Sequence, residues 1–471
     1  MVRLPRPGPN AYRGRVRVPP MPSVLCVVLG LSVAAQQDPP SAAGPGDQAG
    51  LLARANRIER HGITWQFEQD YVIGAFANGD PWVLGPVRVI DITPRCVETE
   101  GRVRNGSMVD PDPKTMQQGY DSALFGDEKR ERYDAARNVA FGLSGERPLV
   151  LQPGQSLVSV GSRSDAKLIP NLQTAAVLTC LDVPPAPDAF RPPYVRGDKN
   201  LRFRVVDIDW AKLRRVRPVA DMPPIASVTP GLQRLWLDHF PEWPVRYAQP
   251  LDNMPDYGRD LAALVGSAAL VLQTDVPNEK KRDLLVSLLQ IGIDSHAVLR
   301  GGGRWRGIGG HGSGRKLPIL LAGLILHDEA MLAIGKDFRS EPTDQGGTGG
   351  FFAEDSQTFF VRETAPGVWN GGHGGYTGAH DGLAEWGFSH ADTPSNDTAA
   401  WEGNPYRRCC SANGWVGHAL VARMLGLRDA WNHPAFFDYM DRYMKAPHTE
   451  AWHRAWVGWQ AAMWDAYRAN Y

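Results

Sequence analysis

His311 lies in the run GGGRWRGIGGHGSGRK (301–316), behind six glycines, two arginines and a tryptophan and directly ahead of an apolar segment. Glycine has no Cβ, so backbone there can approach a bulky ligand closely and leaves the imidazole unshielded. Arg315 follows four residues later, one helical turn away. Tyr376 is framed in the same way in GGHGGYTGAH (371–380), with His373 and His380 beside it. NPYRRCCSANGW (404–415) supplies Tyr406, Arg407 and Arg408, and LDNMPDYGRD (251–260) supplies Asn253 and Tyr257. Each residue also has a plain structural reading: a capping histidine, a turn packed by one aromatic ring, a surface ion pair. Trp305 suits packing and sugar stacking equally, whereas Trp452, Trp456 and Trp459 have the spacing of one buried helix face.

Imidazole, phenol, guanidinium and amide groups with no obvious carboxylate pair suit proton abstraction beside an acidic group. On a uronic acid polymer, a cation or amide neutralises the C6 carboxylate and acidifies C5–H. A base removes that proton, and an acid protonates the departing O4. Neither metal nor cofactor is required. His311 is the expected base for one epimer, with Tyr376 as acid and as sole base for the other. Arg315 and Asn253 are expected to hold the carboxylate. Tyr257, Trp305, His373, His380, Tyr406, Arg407 and Arg408 are expected substrate contacts, and Tyr257 and Tyr406 are rivals to Tyr376. A metal site from His373, His380 and His390 would match no familiar ligand spacing.

These strings must be held by a scaffold, and the period of the chain changes midway. Residues 59–218 alternate short β-branched and aromatic runs with Gly, Pro and Asp turns, which predicts an antiparallel β-rich domain. The segment 104–122 is polar and turn-rich, and is expected to be a long loop able to reach a neighbouring site. Residues 219–471 carry apolar residues at helical spacing, including GLQRLWLDHF (231–240) and the C-terminal EAWHRAWVGWQAAMWDAYRAN (450–470). Paired helices arranged around a ring, closed or incomplete, fit this half, giving an α+β chain with a C-terminal α/α toroid as catalytic domain. The four polar strings each sit at or before an expected helix start, where backbone N–H groups favour an anion.

With 471 residues, 43% of them hydrophobic, the chain can bury a large core. Its formal charge is zero, but residues 1–35 hold five arginines and no acid, so the remainder has 46 basic against 51 acidic residues. No basic field for nucleic acid remains. VLCVVLGLSVAAQQ (24–37) has a short apolar core leading to small residues, so 1–35 is expected to be a signal peptide. Met21 is a candidate start after a 20-residue upstream extension, and 36–58 reads as a linker. The apolar stretch is too short to span a membrane, so the expected product is secreted or periplasmic. Cys96 and Cys180 read as buried thiols or, in an oxidising compartment, a disulfide; Cys409 and Cys410 are adjacent.

The strings DNMPDYG, GGHGSGRK, DSQTFF, NGGHGGY, EWGFSH, PYRRCCSANGWVG and WNHPAFFDYMDRYM resemble those of polysaccharide lyase family 38, over about residues 60–470. That resemblance implies an α/α barrel and β-elimination on alginate or glucuronan. More loosely, alginate lyases of another toroid family place two asparagines ahead of their histidine. Gly309 and Gly310 stand there in this chain, which leaves Asn253 as the candidate amide.

Two other classes compete. A glycoside hydrolase would use a carboxylate pair, with Asp256, Asp355, Asp381 and Glu385 available. A non-catalytic carbohydrate-binding protein would explain the tryptophans but give His311 and Tyr376 no task.

Overall fold

Strand β2 (Ile63–Ala75) opens with buried Ile63, Trp65 and Phe67 alternating with half-exposed neighbours, the period-two pattern of a strand with one face in a core. It belongs to a computed structural model that describes residues 52–124, 132–168, 170–240, 248–253, 258–307, 309–339, 350–372, 375–386, 410–446 and 453–471. Around it lie β1 (Arg54–Arg60), β3 (Pro81–Leu84) and β4 (Val87–Thr93), then the ribbon β5 (Val97–Thr99) and β6 (Arg102–Arg104). After these come β7 (Ser107–Val109), β8 (Leu149–Leu151), β9 (Ser156–Ser162) and β10 (Leu172–Leu181). The sheet order is β7–β9–β10–β3–β2–β4–β8, with β1 also paired to β2. Among the described strands of this sheet, β3 and β10 run parallel and the other neighbours antiparallel. β2 pairs with β4 through Thr64–Phe67 and with β3 through Ile73–Ala75, so one strand joins the two parts of a curled sheet.

β9 and β10 are buried along almost their whole length, and alternation divides their side chains between two cores. Leu157, Ala176, Leu178 and Cys180 join Ile63, Trp65 and Val89 in the core of the sheet. Val158, Val160, Ala175 and Val177 face the other way, into the larger core that holds the helices. Residues 52–471 form one compact unit.

The longer helices are α1 (Gly258–Leu272), α2 (Asn278–Arg300) and α3 (Lys316–Ile325), followed by the short α4 (Ala353–Gln357). α5 (Val416–Met424), α6 (Pro434–Lys445) and α7 (Gly458–Tyr467) follow, and there are also single helical turns such as Pro230–Gln233. α3 packs on α2, α2 on α1, and α1 on α5, which also meets α6 and α7. α1 and α5 cross where Gly266 meets Gly417. Gln460 clamps that crossing, accepting from the Gly417 N–H at 2.9 Å and donating to the Ala263 carbonyl at 2.8 Å. The α+β class and the β-rich first half are therefore as expected. Among the described residues the helices are few and close no ring.

Several local expectations are corrected. The segment 104–122 is no exposed loop: Ser107, Met108, Gln118, Tyr120 and Asp121 are buried. Several of its polar groups are paired within the protein, Arg102 pairing with Asp121 and Gln118 Oε1 accepting from the Tyr120 and Asp121 N–H groups, although the buried Tyr120 hydroxyl has no partner among the described residues. Its tip does reach the glycine run, with Pro113 and Lys114 lying against Gly301 and Gly302. Only Pro230–Gln233 of the expected 231–240 helix is helical, and the last helix begins at Gly458. Of the two readings of Cys96 and Cys180, the free thiols hold and the disulfide does not, with Cys180 buried and Cys96 half-buried. Cys410 is in a disulfide whose other cysteine lies outside the described residues. No helix of the described residues is long and apolar enough to cross a membrane.

Candidate active site

The glycine run is a packed turn wedged between α1, α4 and the start of α5. Gly258, the first residue of α1, lies so close to it that a Cβ would stand 2.6 Å from the Gly310 carbonyl and 2.9 Å from the His311 Cα. Gly314 has φ +95°, and its Cβ would meet the Ala262 backbone at 2.9 Å, so both conformation and space exclude a side chain there. Across the turn, Trp415 Nε1 donates to Ser313 Oγ at 3.0 Å, and Gln357 Nε2 donates to the Gly309 carbonyl at 2.9 Å. Strings 251–260, 302–316 and 404–415 thus meet at one point, and His311 sits there with 8% of its surface exposed.

Tyr376 belongs to the adjoining segment. α4 runs into β11 (Thr358–Phe360), which pairs with β14 (Ala384–Trp386); between them lies the ribbon of β12 (Glu363–Ala365) and β13 (Val368–Trp369). The described part of the string 368–390 ends in strand β14, and the expected helix start beyond it lies outside the described residues. The Tyr376 ring meets Phe359 edge-on at 6.0 Å and His380 at 5.7 Å. Its hydroxyl donates to Glu385 at 3.3 Å, and Glu385 is ion-paired with Arg442. The half-buried His380 accepts from the Thr377 N–H through Nδ1 at 3.0 Å, leaving Nε2 to carry its proton. One segment therefore links the two candidate proton carriers: Gln357 holds the His311 turn and Phe359 holds the phenol.

The expected carboxylate ligands are otherwise engaged. Arg315 is 1% exposed. Its guanidinium makes two parallel hydrogen bonds to Asp238, donates to the Ser313 carbonyl at 2.6 Å and lies over Trp236. Lys316 is buried too, paired with Asp355 and donating to the Trp431 carbonyl at 2.6 Å; burial first of all lowers its pKa, and Asp355 opposes that. Asn253 is buried and donates to the Leu235 carbonyl at 2.6 Å. Trp305 is a core residue with 1% exposure, its Nε1 donating to the Asp238 carbonyl, which leaves no face for a sugar ring. Tyr257, His373, Tyr406, Arg407 and Arg408 lie outside the described residues.

Sequence reasoning missed Glu354. Its Oε1 accepts from the Gly314 N–H at 2.7 Å, while the buried Oε2 has no partner among the described residues. Burial pushes its pKa up to about 7, the Gly314 N–H opposing and Asp355 adding to the shift. A carboxyl poised near neutrality beneath a candidate site suits proton storage. Nothing local marks it, because the burial comes from residues distant in sequence.

Comparison of the chain with protein-family models, curated proteins and solved structures finds no match.

Proposed function

We propose that the protein is an exported polysaccharide lyase that cleaves a 1,4-linked uronic acid polymer, alginate or glucuronan, by β-elimination. The meeting of three polar strings, one of them glycine-rich, at His311, with Tyr376 on the adjoining segment, carries this reading. His311 removes the C5 proton, the C–H electrons form the C4=C5 double bond, and O4 departs with a proton from Tyr376. The chain Tyr376–Glu385–Arg442 holds that phenol in place. For the epimer whose proton and leaving group share a face, Tyr376 performs both transfers.

Carboxylate neutralisation passes from Arg315 and Asn253 to Arg306, half-buried on the His311 turn, with Arg407 and Arg408 as further contacts. His380, whose ring meets that of Tyr376, is a further substrate contact in this reading. In the same reading the packing succession α3–α2–α1–α5 is part of an incomplete α/α toroid, and the leader 1–35 directs the chain to the periplasm or outside the cell. The likeness to polysaccharide lyase family 38 rests on the strings quoted above.

The test is to incubate the purified protein with mannuronan, guluronan and glucuronan and follow absorbance of the unsaturated product. A rise on one of them supports the proposal, and no rise on any ends it. New reducing ends without that absorbance would mean hydrolysis, and binding without turnover would mean a carbohydrate-binding protein.

A further inference from the structure

A cavity of about 430 Å³ lies between the segment 190–203, the C-terminal turns of α2 and Ala330–Met331. None of the residues assigned to the candidate active site lines it. Its size is that of a small-molecule pocket. Phe190, Phe203 and Met331 form an apolar floor, while Arg196, Arg202 and Arg300 stand at the mouth. These three side chains are 74%, 56% and 58% exposed. Arg196 and Arg300 approach Asp112 and Asp337 only at 3.8 and 3.9 Å, beyond hydrogen-bonding distance, and Arg202 meets Asp198 at 3.0 Å. Arg202 and Arg300 thus border this cavity with one close carboxylate, Asp198, among its lining residues, while the Arg196 guanidinium turns toward Asp112 and that of Arg300 lies over Phe338.

The wall contributes a further polar group. His296 is buried, and its Nε2 has no hydrogen-bond partner among the described residues. Burial and the neighbouring Arg300 and Arg202 charges lower its pKa to about 4, with Asp328 and Asp337 opposing. A neutral imidazole in an apolar wall beneath arginines suits a ligand with a hydroxyl or ring edge below and an anion above.

We infer that this cavity is a binding site for a small organic carboxylate carried on a ring with an apolar face. The arginines would take the carboxylate in forked hydrogen bonds, displacing Asp198 from Arg202, and the ring would lie on Phe190, Phe203 and Met331. The inference does not depend on the lyase reading, because it is tested by binding alone.

The experiment titrates the full-length protein with D-glucuronate, benzoate or sulfate while following the His296 ring proton by NMR. A saturable shift with glucuronate or benzoate is expected, weakened at least tenfold in the double variant Arg202→Gln/Arg300→Gln with its Tm unchanged. Saturation by glucuronate alone identifies an acidic sugar, and by benzoate alone an aromatic acid; either supports the site. No saturable shift with both, equal affinity in the double variant, or sulfate binding as tightly as the ring acids would overturn it.

Discussion

Arg315 and Asp238 face each other through two parallel hydrogen bonds, Nε to Oδ2 at 3.0 Å and Nη2 to Oδ1 at 2.8 Å, with both side chains buried. A guanidinium held in this way is a structural strut under the His311 turn. Truncating one member of such a pair leaves the other charge buried and uncompensated, which costs about 3–5 kcal/mol. Arg315→Ala and Asp238→Ala should each lose stability of that order in urea unfolding. A variant of Arg315 with native stability and only a raised KM would return the residue to the substrate.

Glu354 makes stability depend on pH. Its native pKa of about 7 lies above the ordinary 4.5, so between those values the native state keeps a proton that the unfolded chain has released. The contribution of Glu354 is full below 4.5 and is lost as pH rises through 7, by on the order of 3 kcal/mol, while buried histidines such as His61, His239 and His418, whose pKa values are lowered by burial, act in the opposite sense. Glu354→Gln should flatten this part of the profile in urea titrations at pH 4.5, 6 and 8. An unchanged slope would assign the effect to another group.

Removing the Tyr376 hydroxyl leaves Glu385 paired with Arg442, so Tyr376→Phe should fold with a near-native Tm. Its rate of unsaturated product formation should fall at least about a hundredfold, as should that of His311→Ala, the low end for positioned acid–base groups. Rates within threefold of wild type in Tyr376→Phe would pass the acid's role to Tyr257 or Tyr406.

Gly258 separates packing from helix propensity. Alanine favours a helix over glycine by about 1 kcal/mol, yet here its Cβ would press on Gly310 and His311. Gly258→Ala should therefore lower activity at least tenfold, whereas Gly145→Ala, with nothing within 4 Å, should change nothing. Full activity in Gly258→Ala would show that the turn yields freely.

The halves of the chain were legible because burial imprints a period on them: Ile63, Trp65 and Phe67 for the sheet, the apolar repeats of 258–272 and 278–300 for helices. The glycine run was legible as a place of close approach, although what approaches is protein backbone, at Gly258 and Ala262. Pairing across long separations was not legible. Arg315 finds Asp238 77 positions away, and no local pattern distinguishes an arginine that meets a carboxylate in the core from one offered to a substrate. Trp305 failed for the same reason, since its core neighbours Asp238 and Phe352 are remote in sequence. The polar segment 104–122 misled because composition counts polar groups without counting the partners that satisfy them.

Strands β9 and β10 are covered on both sides. A protease cut near residue 218 would therefore not yield two autonomous fragments, because each would carry a greasy imprint shaped to the other. For the same reason the amino-terminal half is a poor cassette for grafting: any new helical host would have to reproduce the relief that Val158, Val160, Ala175 and Val177 already fit.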